Sequence, residues 1–363
     1  MKSVLTDFFK FKFMISIFLS AFLFFSCSSE SSDATGGEAA KKPSNLVVVA
    51  TPAGVSSQNP NGDGSGTVSF TFSATNATSY KIALGDGETK ESTTGSLTYT
   101  YNAAGTNSYT IFVSAYNGSQ FVSTSVTLTL YVAPKAIWAD EFNVDGAPDA
   151  TKWVYDIGTG DWGWGNNESQ YYTNRTENVK VLNGKLIITP KRELFQGSNF
   201  TSARIKTQGK FSFKYGRVEI KAKLPFGGGT WPALWMLGNN ITTAGWPACG
   251  EIDIMEHVGN SQNKIHGTLH YPNFSGGNAV SRTITISNAS TEFHIYSLDW
   301  RSDSIKFYVD GTLFHTFNNT SALPFNQNFF LIINCAMGGN FGGAIDPNFT
   351  SSTFEVDYIR VFN

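Results

Sequence analysis

The stretch Gly250-Glu251-Ile252-Asp253-Ile254-Met255-Glu256-His257 decides how the rest of the sequence is interpreted. Alternation along a β-strand places Glu251 and Asp253 on one face and the two isoleucines on the other. Strict alternation would turn Glu256 away from them, because it lies five residues after Glu251. A β-bulge of one extra residue at about Met255 would return it to the acidic face. The stretch therefore predicts a bulged strand with three carboxylates on one surface.

Three carboxylates placed in this way suit the cleavage of a glycosidic bond. A retaining glycoside hydrolase uses two carboxyl groups about 5–5.5 Å apart, one as nucleophile and one as acid/base. Glu251 and Glu256 would lie about four strand steps apart, roughly 13 Å between backbones. Long glutamate side chains on a concave sheet could close much of that gap. Asp253 between them can hold the three groups in unequal protonation states. An exposed acidic strand without catalytic function is the alternative.

The motif Glu-Ile-Asp-Ile-Met-Glu resembles the signature of glycoside hydrolase family 16, in the bulged form of its laminarinase-like members. Trp138-Ala139-Asp140-Glu141-Phe142-Asn143 and the stretch 354–361 resemble the two ends of the same family domain. The resemblance implies an all-β jelly-roll sandwich with its termini side by side. It also implies that Glu251 is the nucleophile, Asp253 the assisting acid and Glu256 the general acid/base.

By this resemblance the substrate is a β-glucan polysaccharide, cleaved as a β-1,3-glucan of the laminarin type. A mixed-linkage β-1,3/1,4-glucanase of the same family is the alternative enzyme. Sulfated galactans are disfavoured, since few basic residues accompany the motifs. A non-catalytic glucan-binding lectin on the same sandwich would require loss of the acids, and all three are present.

Further residues are predicted to line the sugar-binding groove. A guanidinium fork can serve two hydroxyl oxygens, although a salt bridge on the sheet surface is an equal alternative for Arg204. An imidazole at His270 can hydrogen-bond a carboxylate or a sugar hydroxyl, or be satisfied within the sheet. The predicted substrate-binding residues are Asn166, Arg204, Trp231, Trp235, Trp246 and His270. The stretches 202–205 and 215–219 predict consecutive antiparallel strands.

Tryptophan indoles suit pyranose rings, because the C–H groups of a sugar face stack on the π surface. Trp231 and Trp235 are four residues apart, and a kink at Pro232 could let either face the groove. Packing between the sheets is the alternative for Trp235, so Trp231 is favoured as the sugar platform. Trp246, just before the acidic strand, is expected on the leaving-group side.

The resemblance also implies a structural calcium ion and no cofactor for catalysis. Its predicted ligands are Glu141, the carbonyl of Gly184 and Asp357, an all-oxygen set that suits Ca²⁺. An unmetallated pair of surface carboxylates is the alternative. Cys249 and Cys335 could pair, but two small buried residues are favoured.

Composition indicates an all-β protein in two parts. Aromatic residues make up 14% of the chain and there are 35 glycines, as expected for many short strands and turns. A formal net charge of -2 with 15% charged residues gives no electrostatic case for binding nucleic acid. All eight tryptophans fall within 134–363, which is predicted to be the catalytic domain, and 45–133 is predicted to be a separate module.

The first 44 residues are predicted to lie outside the folded domains. Lysines precede an apolar run from Phe13 to Phe25, which is typical of a signal peptide at 1–26. Ser26-Cys27 resembles a lipoprotein cleavage site, so a lipid on Cys27 would anchor the chain to the bacterial outer membrane at the cell surface. An ordinary secretory signal is the alternative. Residues 27–44 read as a disordered tether, and the protein is expected to act as a monomer.

The module at 45–133 is predicted to be a small sandwich. Leu84-Gly85-Asp86-Gly87 and the stretch 99–105 resemble a PKD-like immunoglobulin-fold module. A spacer is favoured over a weak sugar-adhesion function, because the module holds no tryptophan and no acid cluster. Its predicted strands are Leu46 to Ala50, Thr67 to Phe72, Tyr80 to Leu84, Tyr109 to Ala115 and Val122 to Val132.

Overall fold

The computed structural model of the chain describes residues 40–363. The predicted signal peptide, the predicted lipid site at Cys27 and most of the predicted tether lie outside these residues. Among the described residues, no helix has the length and apolarity needed to cross a bilayer. Two compact units divide the described residues: the first holds 40–53 with Thr67–Thr100 and Ser108–Thr129, and the second holds the remainder. The predicted domain boundaries stay predictions.

The first unit consists of a three-stranded and a four-stranded antiparallel sheet, ordered β1-β2-β5 and β4-β3-β6-β7. The ring of Phe72 lies 5.6 Å from that of Tyr80, which joins the two sheets in one core. All five predicted strands are present. The strands are β1 (Ser44–Pro52), β2 (Thr67–Thr75), β3 (Ser79–Ala83), β4 (Thr89–Ser92), β5 (Ser96–Thr100), β6 (Gly105–Asn117) and β7 (Gln120–Val132).

The second unit contains eighteen further strands. They are β8 (Trp138–Asp140), β9 (Val154–Asp156), β10 (Gln170–Tyr172), β11 (Val179–Val181), β12 (Leu186–Ile188), β13 (Lys191–Phe195), β14 (Ser198–Ser202), β15 (Arg204–Lys206), β16 (Gly216–Lys223), β17 (Thr230–Gly238), β18 (Glu251–His257), β19 (Lys264–His270), β20 (Val280–Thr285), β21 (His294–Trp300), β22 (Ser304–Val309), β23 (Thr312–Asn318), β24 (Phe329–Met337) and β25 (Phe354–Phe362). Two four-residue helices, α1 (Ile241–Ala244) and α2 (Gly339–Gly342), and short turns at 163–167, 259–261 and 276–278 connect them.

Two large sheets of the second unit form the predicted sandwich. One is ordered β11-β12-β25-β16-β21-β22-β23, with β8 paired to β25, and the other is β20-β19-β18-β17-β24-β15-β9. Asp140 pairs with Ile359, so the two ends of the unit are side by side, as predicted. The prediction of consecutive antiparallel strands at 202–205 and 215–219 was wrong as a pairing, because β15 and β16 belong to different sheets.

The core lies between these two sheets and is rich in aromatic side chains. Trp300 on β21 is fully buried, and its ring meets that of Phe329 on β24 edge-on at 5.2 Å. Ile252 on β18 and Val218 on β16 reach the same core from opposite sheets. Residues that alternate with these core positions on the seven-stranded sheet face outward and form the surface described below.

The acidic strand β18 contains the predicted bulge. Asp253 is opposite Thr268 and Glu256 is opposite His266, so three steps along β18 match two steps along β19. The side chains of Ile254 and Met255 are adjacent in sequence, yet both are buried in the core, at 1% and 0% exposure. Two consecutive inward residues shift the alternation by one position and return Glu256 to the face of Glu251.

The bulge predicts an unusual pattern of mutational costs. We expect Ile254→Ala and Met255→Ala each to lower the free energy of unfolding by about 2–5 kcal/mol, because each empties a filled core position. Regular alternation would leave one of the two on the surface, where truncation costs about 0.5 kcal/mol or less. Urea unfolding followed by tryptophan fluorescence measures both, with exposed Leu194→Ala as control. A negligible cost at either position would contradict the bulge.

Candidate active site

The outer face of the seven-stranded sheet carries all three acids of β18, and we call it the acidic face. One cross-strand row runs from Glu256 through Ala233 and Asn334 to Arg204 and Asp156. A second row places Asp253 beside Trp235 on β17. Glu251, Asp253 and Glu256 therefore share one surface with the predicted aromatic and basic residues. This surface is continuous across five strands, from β18 to β9.

Each of the two glutamates has its own indole donor. Trp246 Nε1 donates to Glu251 Oε2 at 3.0 Å, and Trp231 Nε1 donates to Glu256 Oε1 at 3.0 Å. Trp246 comes from the loop before β18 and Trp231 from β17, so the two donors approach from different directions. Neutral N–H donors stabilise a carboxylate without adding a charge. The two ends of the acid row can therefore be tuned separately.

His270 on β19 reaches the acids from the opposite side. Its Nε2 lies 3.2 Å from Asp253 Oδ2 and 3.7 Å from Glu251 Oε1. The backbone N–H of Gly276 donates to His270 Nδ1 at 3.1 Å, which leaves the ring proton of a neutral imidazole on Nε2. His270 therefore lies beside the acids, and its hydrogen bond to a carboxylate or a sugar hydroxyl stays a prediction.

Burial and mutual repulsion make the acids hard to ionise together. Burial, followed by the charge of Asp253, raises the pKa of Glu251 to about 8. Burial and then Glu256 raise the pKa of Asp253 well above its ordinary value, and burial raises that of Glu256. The charges of like groups at this spacing favour one or more shared protons at neutral pH. The cluster thus retains a proton donor at neutral pH.

Arg204 is held between two indoles at the far side of the acidic face. Its guanidinium carbon lies 4.7 Å from the ring of Trp164 and 4.9 Å from that of Trp235. Asp156 Oδ2 pairs with Arg204 Nε at 3.0 Å, and Lys206 pairs with the other oxygen at 2.6 Å. The predicted alternative of a sheet-surface salt bridge is therefore present, and it holds the guanidinium among aromatic side chains.

A hydrogen-bonded chain beneath this region was not predicted. Trp235 Nε1 donates to Asn334 Oδ1 at 2.7 Å, and Asn334 Nδ2 donates to the Tyr172 hydroxyl at 3.0 Å. Tyr172 in turn donates to Glu168 Oε2 at 3.1 Å. Asn166 and Gln170 also donate to Glu168, whose pKa is raised by burial. The motif at 164–168 indicated the loop, but nothing local to it indicated partners on β17 and β24.

All six predicted substrate-binding residues lie on or beside the acidic face, and their contact with a sugar stays a prediction. The predicted kink at Pro232 was wrong, because the pairing of β17 with β24 passes through Pro232 without a register shift. Trp231 and Trp235 share the face by simple alternation. Trp235 is half-buried on this outer surface, so packing between the sheets does not describe it.

The predicted calcium ligands have basic partners. Both oxygens of Glu141 accept from Arg360, at 2.7 and 2.8 Å, and Asp357 pairs with Lys221 at 2.8 Å. Gly184 lies in the turn between β11 and β12 with a φ of 72°. An ion bound there would have to displace both basic groups, so the calcium site stays a prediction.

One cluster of side chains has atoms close enough to hold a metal ion, and two cysteines could form a disulfide. Ligand atoms of Glu251, Asp253 and His270 lie within 4.8 Å of one another. Their hydrogen bonds to Trp246 and Gly276 account for this arrangement without an ion. Cys249 and Cys335 are both buried and unpaired, as predicted.

Comparison with known proteins identifies the relatives of this region. The model of glycosyl hydrolases family 16 matches residues 166–360. A β-glucanase of Rhodothermus marinus is 44% identical over 242 residues, which cover 62% of this chain and 84% of the relative. A glucan endo-1,3-β-glucosidase of Niallia circulans is 41% identical over 258 residues, 62% of this chain and 37% of that protein.

Solved structures and a more distant relative also resemble this region of the chain. The laminarinase structure from Rhodothermus marinus superposes with a TM-score of 0.61 at 44% identity, covering 63% of this chain and 97% of that one. An endo-1,3-1,4-β-glycanase of Rhizobium meliloti is 27% identical over 245 residues, 62% of this chain and 51% of that protein. The relatives thus act on more than one linkage.

The buried hydrogen-bonded chain from Trp235 to Glu168 predicts that removing the Tyr172 hydroxyl destabilises the fold. Tyr172→Phe should lower the free energy of unfolding by about 1–3 kcal/mol, because the amide of Asn334 and the carboxylate of Glu168 each lose a buried partner. Tyr296→Phe is the matched control, since its hydroxyl is buried without a hydrogen-bond partner in the described part of the chain. Equal losses of unfolding free energy in Tyr172→Phe and Tyr296→Phe, measured by urea unfolding, would show that this hydrogen-bonded chain does not stabilise the protein.

Proposed function

Because the chain belongs to glycosyl hydrolase family 16, we propose that it is a retaining endo-β-1,3-glucanase of the laminarinase type. Family membership makes it a glycoside hydrolase, and its relatives include laminarinases, β-glucanases and mixed-linkage glycanases. The observation that carries the finer proposal is the bulged strand β18. It presents Glu251, Asp253 and Glu256 on one face, and a separate indole donor contacts each glutamate.

In the first step Glu251 attacks the anomeric carbon while Glu256 donates its proton to the glycosidic oxygen. The bond between that carbon and the leaving oxygen breaks, and a glycosyl ester forms on Glu251. We assign the negative charge to Glu251, because the Trp246 indole and the His270 Nε2 proton both face it. Asp253, which shares a hydrogen bond with Glu251, keeps a proton beside the charged nucleophile.

In the second step water hydrolyses the ester. Glu256, now ionised, takes a proton from the water as its oxygen attacks the anomeric carbon, and Glu251 leaves as a carboxylate. Two inversions at one carbon give net retention. Trp231, which donates to Glu256, stabilises the ionised form that this step needs. The same residue thus acts first as an acid and then as a base.

Laminarin is the proposed substrate, and mixed-linkage β-1,3/1,4-glucan is the second candidate. The relatives support both, since they include enzymes named for each linkage. Chromatographic sizing of products from the two polymers would separate these candidates. Release of reducing sugar from laminarin supports the proposal, whereas binding without release would favour a glucan-binding lectin.

The remaining parts of the chain receive proposals of their own. We propose that Cys27 carries a lipid that anchors a monomeric enzyme at the bacterial cell surface, and metabolic labelling with a fatty acid tests this. The first unit, with its two packed sheets, is proposed to be a PKD-like spacer. A structural calcium ion at Glu141, Gly184 and Asp357 would raise the thermal midpoint when Ca²⁺ is added after chelation.

Removing either proposed catalytic carboxylate should abolish hydrolysis while leaving the fold intact. Glu251→Ala and Glu256→Ala should each lose at least about a thousandfold in kcat on laminarin, because neither step proceeds without its group. Circular dichroism checks the fold, and Glu177→Ala, at an exposed glutamate, is the control.

Azide distinguishes the two roles in these variants. It should restore turnover of an activated glucoside with inversion in Glu251→Ala, as a single displacement, and with retention in Glu256→Ala. Wild-type turnover in either variant, or the opposite stereochemical assignment, would overturn the proposed roles.

The two indole donors predict changes in different limbs of the pH profile of kcat/KM. The acid limb follows ionisation of the nucleophile and should lie above the ordinary glutamate pKa of 4.5. Trp246→Phe removes a donor that lowers the pKa of Glu251, so it should move mainly the acid limb to higher pH. Trp231→Phe removes the donor that lowers the pKa of Glu256 and should move mainly the basic limb to higher pH. If Trp246→Phe moved mainly the basic limb and Trp231→Phe mainly the acid limb, the catalytic roles of Glu251 and Glu256 would be reversed.

A further inference from the structure

Trp162 is the most exposed large apolar side chain among the described residues, at 86% exposure. It lies in the segment Gly160–Asn167, which follows the edge strand β9 and which we call the tryptophan loop. Single exposed apolar residues are common on protein surfaces. Trp162 differs from them because the loop that carries it is both strained and firmly held.

The strain is seen in the backbone and in one buried group. Trp162 and Trp164 have φ values of 51° and 54°, a left-handed conformation that is unusual for a bulky residue. The Trp164 Nε1–H is buried and has no hydrogen-bond partner among the described residues. Each such feature costs on the order of 1–3 kcal/mol and persists where the surrounding structure enforces it.

The enforcing contacts come from both ends of the loop. The backbone N–H of Asn167 donates to the Trp162 carbonyl at 3.0 Å, and the side chain of Asn167 donates to Asn340 at 2.9 Å. A Cβ on Gly163 would lie 2.4 Å from the Glu168 nitrogen, so the chain approaches itself too closely for any other residue. The exposed indole is therefore presented by a fixed loop.

The loop borders the acidic face on the side away from the scissile position. Trp164 of the loop packs on Arg204, which lies in the same cross-strand row as Glu256. From β18 to β9 there are four strand spacings, roughly 19 Å. A glucan chain that extends from the acids across β17, β24 and β15 would therefore meet the tryptophan loop several rings from the bond being cleaved.

We propose that Trp162 is a distal stacking platform for a glucose ring of the bound glucan chain, and so sets a preference for longer substrates. The proposal rests on the proposed function and adds a binding contact to it. An exposed indole offers a flat apolar surface, and sugar C–H groups stack on such surfaces while the hydroxyls remain in water. Because the loop is already ordered, little conformational freedom is lost on binding.

Kinetics on laminari-oligosaccharides of increasing length test this proposal. For wild type, kcat/KM should rise with length until the ring over Trp162 is added. In Trp162→Ala the ratio of kcat/KM for laminariheptaose to that for laminaritriose should fall about three- to tenfold, the loss expected for one aromatic contact. Trp162→Tyr, which keeps an aromatic face, should restore most of the ratio.

Two controls separate this effect from a general one. Val144→Ala removes an apolar side chain of similar exposure, 80%, from the loop after β8, and should keep the wild-type ratio. Trp162→Gly removes the ring and also relieves the left-handed strain, so its thermal midpoint should be no lower than that of wild type. It should nevertheless lose the same preference for length.

Three results would overturn the inference. Equal losses on the triose and the heptaose in Trp162→Ala would show that the residue only supports the loop. An unchanged ratio would show that no ring stacks there, and failure of Trp162→Tyr to restore the ratio would deny the need for an aromatic face. If wild type cleaves laminarin, each of these results leaves the proposed function standing, whereas no cleavage by wild type would remove the function itself.

Discussion

The whole surface depends on two neighbouring side chains, Ile254 and Met255, that both enter the core. In an ordinary strand, a slip of one residue exchanges the two faces. Here a slip would take two buried apolar groups into water and carry carboxylates toward the core. Burying a charge without a partner costs far more than a typical residue contributes to stability. The register of β18, and with it the position of Glu256, is therefore fixed by packing on the other side of the sheet.

Once the acids are fixed, burial and the surrounding donors act on their pKa values in opposite directions. Trp246 and Trp231 each donate one N–H, and the His270 ring is oriented by the backbone of Gly276. Burial raises the pKa values of both glutamates above the ordinary range, and the indole donors oppose that rise. Groups that are already in place need not reorganise as charge moves from one carboxylate to the other. The rigidity of the surrounding sheet thus contributes directly to the proposed chemistry.

The sequence predicted features that depend on local spacing. The bulge followed from the five-residue step from Glu251 to Glu256, and the strands β2, β6 and β7 followed from alternation. Contacts that depend on distant pairing were not predictable in this way. Trp235 and its partner Asn334 are 99 residues apart, and Asn334 and Tyr172 are 162 residues apart. Strand β4 was missed because Thr89–Ser92 has no apolar alternation. The predicted pairing of 202–205 with 215–219 was wrong, because the chain passes from one sheet to the other between these two consecutive strands.

Electrostatics on the far side of the acidic face favour a neutral polysaccharide. Arg204 and Lys206 are the basic residues beside Trp235, and both pair with Asp156. A sulfated chain would have to compete with that carboxylate for each cation, which costs desolvation on both sides. A sugar hydroxyl does not have to displace Asp156, because the N–H groups of Arg204 that do not face Asp156 can still donate to its oxygen. Indoles on either side of Arg204 add apolar surface that suits the C–H faces of glucose rings. Charge and aromatic content therefore support the proposed assignment of an uncharged, hydroxyl-rich glucan to this surface.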